Sequence, residues 1–252
     1  EGTTTWTWGQ SREARNVGML AAVHSPGFAQ AYAYDSLGRP VSVTSSHQAA
    51  SFVSAMTYDP VTGLRDTLTY PAPTGSPALR VRHHYDRGRL VELTDADTGA
   101  SYWRLDALDV RGHVTSESLG NGVRGASQYD PVSGLLTERT AGIGGGSSHQ
   151  NLAYEWDAAG NLVRRTERNA GVEEGFAYDA LDRLDTVQRA GVLSLDLAYD
   201  TVGNLTYKSD VGEYRYDPVR RDKLVAAGAN TYEHDANGAI VNASGTKIHW
   251  SS

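Results

Sequence analysis

Carboxylates are the residues of this sequence best supplied for chemistry. Ten aspartates recur 17 to 27 residues apart: Asp35, Asp59, Asp86, Asp109, Asp130, Asp157, Asp179, Asp200, Asp217 and Asp235. Two carboxylates flanking one bond could hydrolyse a glycoside, but an array with one aspartate per unit singles out no pair. Asp95-Ala-Asp97-Thr-Gly99 opens like a calcium loop. An EF-hand loop takes glycine sixth and glutamate twelfth; here glycine is fifth and Asp106 twelfth, so a surface hairpin loop is expected. His83 and His84 are adjacent, and neighbours on a strand point to opposite faces, so one metal ion cannot easily use both. Serine, histidine and aspartate occur without a Gly-x-Ser-x-Gly elbow. No Walker or dinucleotide fingerprint is present. Trp6, Trp8, Trp103, Trp156 and Trp250 could stack on sugars, but core and cross-strand packing is their expected role. No catalytic residue, cofactor site or metal site is assigned.

The aspartates acquire a different meaning from their neighbours. Tyrosine directly precedes aspartate seven times, at Tyr34, Tyr58, Tyr85, Tyr129, Tyr178, Tyr199 and Tyr216. Leu108, Trp156 and His234 hold that place in three weaker copies. Glycine follows at the fourth position in Asp35–Gly38, Asp109–Gly112, Asp157–Gly160, Asp200–Gly203 and Asp235–Gly238. A type I turn favours Asp first, Pro second and Gly fourth. The aspartate accepts backbone N–H groups of the turn, and glycine supplies the left-handed residue of a following bulge. Pro60, Pro131 and Pro218 take the second position. Asp59–Gly63 and Asp130–Gly134 carry one extra residue and Asp86–Gly88 lacks one, as loop-length variants of one hairpin.

Period-two patterns flank these turns: Ala31–Tyr34, Leu195–Tyr199 and Glu213–Tyr216 before them, Arg89–Thr94 and Arg183–Val187 after. The unit is therefore strand, turn, strand, loop. Ten units imply roughly 20 short strands in an all-β array, and a sheet of that width must coil rather than lie flat. Arg12–Leu20 could form a turn or two of helix, but Gly18 interrupts it. The stretch 141–148 (AGIGGGSS) is expected to be a long inter-strand loop, so residues 1–252 read as one continuous repeat array with no domain boundary inside it.

Composition narrows the classes. The 252 residues contain 27 glycines, 14 tyrosines and no cysteine, which excludes disulfides and thiolate metal sites. A net charge of −7 disfavours nucleic acid as a partner. The arginines outnumber lysines 20 to 3 but are scattered. No run is long and apolar enough to span a membrane as a helix. The sequence begins without a recognisable signal peptide, and both ends read as cut from a longer protein.

The Tyr-Asp-x-x-Gly-Arg/Asn-Leu pattern at Tyr34–Arg39, Trp156–Leu162 and Tyr199–Leu205, broken at Tyr178–Leu184, resembles the RHS/YD-repeat proteins. Trp6–Trp8 leading to Gly18–Leu20, Leu119–Val123 before Tyr129–Pro131, and Tyr232–Gly238 before Gly245–Trp250 look similar to the bacterial polymorphic-toxin type. Those proteins are related to Tc-toxin shell components and to teneurins. The resemblance implies a curled antiparallel sheet forming part of a hollow β-shell around a C-terminal toxin domain. Its self-cleaving Asp-Pro-x-Gly core is not carried over to Asp59-Pro60 or Asp130-Pro131, which sit inside ordinary repeats. Asp182 and Arg220–Lys223 depart from the family's turn pattern.

The expected function is a non-catalytic shell segment of a secreted or cell-surface protein. Its partners would be the rest of the shell, an enclosed toxin, and other copies through open sheet edges. An inner face of mixed small polar and apolar residues is expected. The alternative is a cell-surface adhesion or glycan-binding module; an enzyme would need a cleft with paired carboxylates of shifted pKa.

Overall fold

A computed structural model describes residues 3–48, 50–73 and 75–250. The described residues form 23 strands and no helix. The all-β hairpin array expected from the Asp/Gly spacing is therefore present. The chain divides into two compact units, Glu1–Val123 and Arg124–Trp250.

The first unit runs through β1 (Thr5–Trp8), β2 (Leu20–Ser25), β3 (Phe28–Tyr34), β4 (Pro40–His47) and β5 (Ala50–Tyr58). It continues through β6 (Arg65–Thr69), β7 (Arg80–Asp86), β8 (Arg89–Asp95), β9 (Ser101–Leu108) and β10 (Val114–Leu119). Each strand pairs antiparallel with the next. Residues 12–20 form no helix. Gly9 N–H donates to the Met19 carbonyl at 2.8 Å and Gly18 N–H to the Gly9 carbonyl at 2.9 Å, closing the segment into a loop.

The second unit is built the same way. Its strands are β11 (Val123–Tyr129), β12 (Leu136–Ile143), β13 (Gln150–Trp156), β14 (Leu162–Glu167), β15 (Val172–Tyr178), β16 (Leu184–Arg189) and β17 (Val192–Tyr199). Then follow β18 (Leu205–Lys208), β19 (Gly212–Tyr216), β20 (Leu224–Ala227), β21 (Asn230–His234), β22 (Ile240–Ala243) and β23 (Thr246–Lys247). From β12 onward, successive strands pair antiparallel. The glycine-rich stretch is shorter than expected as a loop, because β12 extends through Ile143.

Pairing sorts side chains by face. Across β3, β4 and β5, one face carries Ala29, Ala31, Ala33, Ser42, Thr44 and Ser46 opposite Ser51, Val53 and Ala55. The other face of these strands carries Phe28, Tyr32, Tyr34, Val43 and Phe52. The first set makes a face of small polar and apolar side chains, the second a face that also carries large aromatic ones. Among the described residues, Val81, Leu197, Ala226 and Ala227 alone are buried apolar side chains, and no large side chain is fully buried. A layered domain needs a second layer to bury its apolar face; the described residues of these units supply none.

The packing role expected for all five tryptophans needs correction. Trp103 and Trp156 are half-buried, but Trp6 and Trp8 are each 59% exposed and Trp250 is exposed as well. The reason is local. β1 pairs with one neighbour among the described residues, so Trp6 and Trp8 lack cover on one flank, and Trp250 lies beyond the last strand, β23.

Backbone conformation, not space, fixes the turn glycine Gly160. Gly160 has φ +90 and open space where a Cβ would stand, so only left-handed strain opposes a side chain there. Gly160→Val is expected to cost roughly 1 kcal/mol or more. Gly175, inside β15 with ordinary φ and its nearest neighbour at 3.9 Å, should accept alanine with little change. Urea denaturation midpoints of the two variants check this.

Candidate functional site

Odd-numbered strands from β3 to β21 run toward the ten repeat aspartates, so antiparallel pairing places these turns at one end of the strands within each unit. Nine of the ten aspartates make the same capture. Their Oδ1 accepts the N–H two residues on: Leu37 at 2.8 Å, Val61 at 3.1 Å, Arg111 at 2.9 Å and Val132 at 3.0 Å. Ala159, Leu181, Val202, Val219 and Asn237 donate likewise at 2.8–2.9 Å. In the shorter turns Oδ1 also accepts the N–H four residues on, as from Arg39 and Asn161. In the longer loops it accepts the third, as from Thr62, Ser133 and Arg220. Gly38, Gly63, Gly112, Gly134, Gly160, Gly203 and Gly238 all have positive φ in these turns.

The departures have local explanations. Asp182 occupies the glycine place at φ +58, a conformation aspartate tolerates better than most residues. The Arg220–Lys223 stretch lengthens its turn, yet Asp217 still captures two backbone donors. Asp86 differs in kind. It pairs with Arg89, leaving a two-residue loop in which Arg87 and Gly88 both have positive φ, the requirement of a type I′ hairpin. Asp95 makes the same capture at the opposite strand ends, accepting from Asp97 and Thr98 at 2.9 and 2.7 Å. The calcium-like segment is thus a hairpin loop.

Two further devices join one hairpin to the next. The first is the residue after glycine. Arg39 binds Asp35 Oδ2 through Nε at 2.7 Å, reaches the Gly63 carbonyl at 3.1 Å, and lies 4.2 Å over the Tyr58 ring. Arg183 does the same with Asp179, the Asp200 carbonyl and the Tyr199 ring. Asn161 bridges Asp157 to Asp182, and Asn204 bridges Asp200 to the Arg221 carbonyl. His113 binds Asp109 at 2.8 Å.

The second device is a register shift beside the aromatic. Ala177 faces Thr186 while Tyr178 faces Leu184, skipping Asp185, and the same slip recurs at Tyr34, Tyr58, Tyr85, Leu108, Trp156, Tyr199, Tyr216 and His234. A bulge locally breaks the ladder. The carbonyl opposite the aromatic then accepts from the aromatic of the following hairpin. Tyr58 OH donates to Pro40 at 2.7 Å, Tyr178 to Leu162 at 2.9 Å, Tyr199 to Leu184 at 2.9 Å and Tyr216 to Leu205 at 3.0 Å. Tryptophan substitutes its indole N–H: Trp156 donates to Leu136 and Trp250 to Ile240. Tyr34 reaches back to Leu20, the partner of Trp8. Sequence reading missed this relay; the hydrophobic residue regularly placed after Arg or Asn was its only trace.

The carboxylates titrate as turn groups. The Tyr102 hydroxyl, then the Thr98 and Asp97 amides, hold Asp95 down at about 2. Asp59 and Asp157 are lowered chiefly by the Thr62 and Asn161 amides, Asp179 by the Arg183 side chain and Asp217 by the Arg220 amide. Burial raises the hydroxyls of Tyr34, Tyr178 and Tyr216. Among the described residues no three metal-ligating side chains cluster. His83 and His84 face opposite sides, opposite Leu93 and Glu92 respectively. A groove of about 560 Å³ lies between the Asp86–Arg89 loop and the Asp109–Gly112 turn of the first unit.

Two measurements follow from this geometry. Tyr178→Phe should lose about 1 kcal/mol of stability, the usual net worth of one hydrogen bond, read by denaturant midpoint. Lowered carboxyl pKa values add stability above the unfolded value of 3.8 that is lost as pH falls through the folded values. Raised tyrosine values add stability below 10.0 that is lost as pH rises through them. Burial lowers the His83 pKa, which adds stability above 6.5 that is lost as pH falls. The thermal midpoint should therefore be flat from about pH 7 to about pH 9 and fall on both sides.

No protein-family model matches the sequence, and no curated protein matches it. Solved structures do. The crystal structure of TcdB2-TccC3-Cdc42 matches with TM-score 0.53 and 17% identity, over 95% of this chain and 13% of that one. TcdB2-TccC3 without its hypervariable C-terminal region matches with TM-score 0.48 and 17% identity, over 94% of this chain and 12% of that one. The chain thus spans about an eighth of the length of these structures. Turn capture, aromatic relay and this likeness together identify an RHS/YD-repeat fold related to that of Tc-toxin components.

Proposed function

We propose that residues 1–252 are a non-catalytic stretch of one RHS-repeat array whose sheet walls a shell around a C-terminal toxin or effector domain of a secreted bacterial protein. The observation that carries this reading is a sheet without a packed interior: no large side chain is fully buried among the described residues. The hairpin is the same in both units, which supports one array. The likeness to a TcdB2-TccC3 structure supports a shell-like role.

The mechanism is physical. Each hairpin is held to its neighbours by backbone pairing, the turn bridge and the aromatic relay, so the wall is stiff without a core beneath it. The smooth Ala/Ser/Thr face of β3–β5 offers a cargo little to bind specifically. Asp35, Asp59, Asp109, Asp157, Asp179, Asp200 and Asp217 are consumed in turns, and their lowered pKa values keep them ionised acceptors rather than proton donors. The remainder of the shell and the cargo are the partners, and the site of action is outside the cell or at its surface. A second reading, adhesion to glycans, is favoured by the exposure of Trp6, Trp8 and Trp250.

Protease protection of the parent gene product separates the two. The shell reading expects a cargo sequence to survive while exposed turns are cut. Digestion of everything outside residues 1–252, with glycan-array binding abolished by Trp8→Ala, would establish adhesion instead.

A further inference from the structure

Of the residue two positions on, each turn aspartate uses only the backbone N–H. The side chain of that residue has no part in the capture, as Ala159 and Asn237 demonstrate. Polar residues and glycine are the ordinary occupants of such turns. Yet six of the nine positions hold Leu37, Val61, Val132, Leu181, Val202 and Val219. All are exposed, Val61 to 90% and Val219 to 87%. Turn length does not explain them, because the loops of Asp59, Asp179 and Asp217 differ in length and place the same kind of side chain at the same point.

We infer that these aliphatic tips form an interaction surface, and that its partner is the same row on a second copy of this chain. In the second unit Leu181, Val202 and Val219 lie on consecutive hairpins. Hairpins two strands wide repeat at about 9.6 Å. A partner must present apolar groups at the same repeat to engage all three, and an identical row does so. Two copies related by a two-fold axis meet through the same patch. Charge permits the approach despite the net −7, because Arg183 pairs with Asp179 and the charges of Lys223 and Arg220 act on Asp217. Three tips per copy make a small patch, so the contact belongs with weak, reversible interfaces.

Sedimentation of the chain over a concentration series tests this. The expected result is a reversible dimer, weakened at least about tenfold in Leu181→Asn/Val202→Asn/Val219→Asn. Asparagine suits these turn positions, so circular dichroism and the urea midpoint should be unchanged in that variant. Trp6→Pro, whose N–H faces away from β2 in the β1–β2 register and which blocks strand addition at β1, should leave the dimer intact. A monomer at the highest concentration, or association lost in Trp6→Pro and kept in the triple variant, overturns the proposal.

Discussion

One carboxylate oxygen accepting two backbone N–H groups organises this protein. At Asp157 these come from Ala159 and Asn161, and the second carboxylate oxygen takes the Asn161 side chain. The capture fixes the turn, the turn forces the left-handed glycine, and the glycine leads into the bulge. The bulge in turn exposes the Leu162 carbonyl that Tyr178 occupies. A local hydrogen bond thereby becomes a contact between hairpins. Without it the strands would keep their pairing potential but lose the device that sets register at every second connection.

The described residues of each unit need such a device because hydrophobic burial does little for them. Ordinary domains are stabilised mainly by apolar area removed between layers. Here cohesion runs sideways, through ladder hydrogen bonds, guanidinium stacking such as Arg183 over Tyr199, and the aromatic relay. Each term is modest and each is repeated, the arrangement expected of a nearest-neighbour array. The wall reading and the tip-association reading rest on different parts of it. The first concerns the broad faces, the second the strand ends.

Much of this was legible from residue types. Asp, Gly and Pro in turns act through their own backbone preferences, so the turns at Asp35, Asp59 and Asp130 could be read one by one. The hairpin nature of Asp95–Gly99 and the opposite facing of His83 and His84 followed for the same reason. Asp86 was less legible, because Tyr-Asp marks a repeat whether or not the carboxylate is used. Only the two-residue loop, with Arg87 and Gly88 both at positive φ, shows that it is not. The tryptophans were misjudged as a group because exposure depends on which strands have neighbours.

The sequence by itself determined the all-β class, the hairpin unit and its period, since these depend on local conformational preference and period-two alternation. The tertiary structure alone decided how hairpins are joined and what they leave uncovered. The Tyr178 hydroxyl and the Leu162 carbonyl lie 16 residues apart and meet only across a slipped register. Burial is likewise a property of layers, and no local pattern reveals how little the described residues of each unit bury.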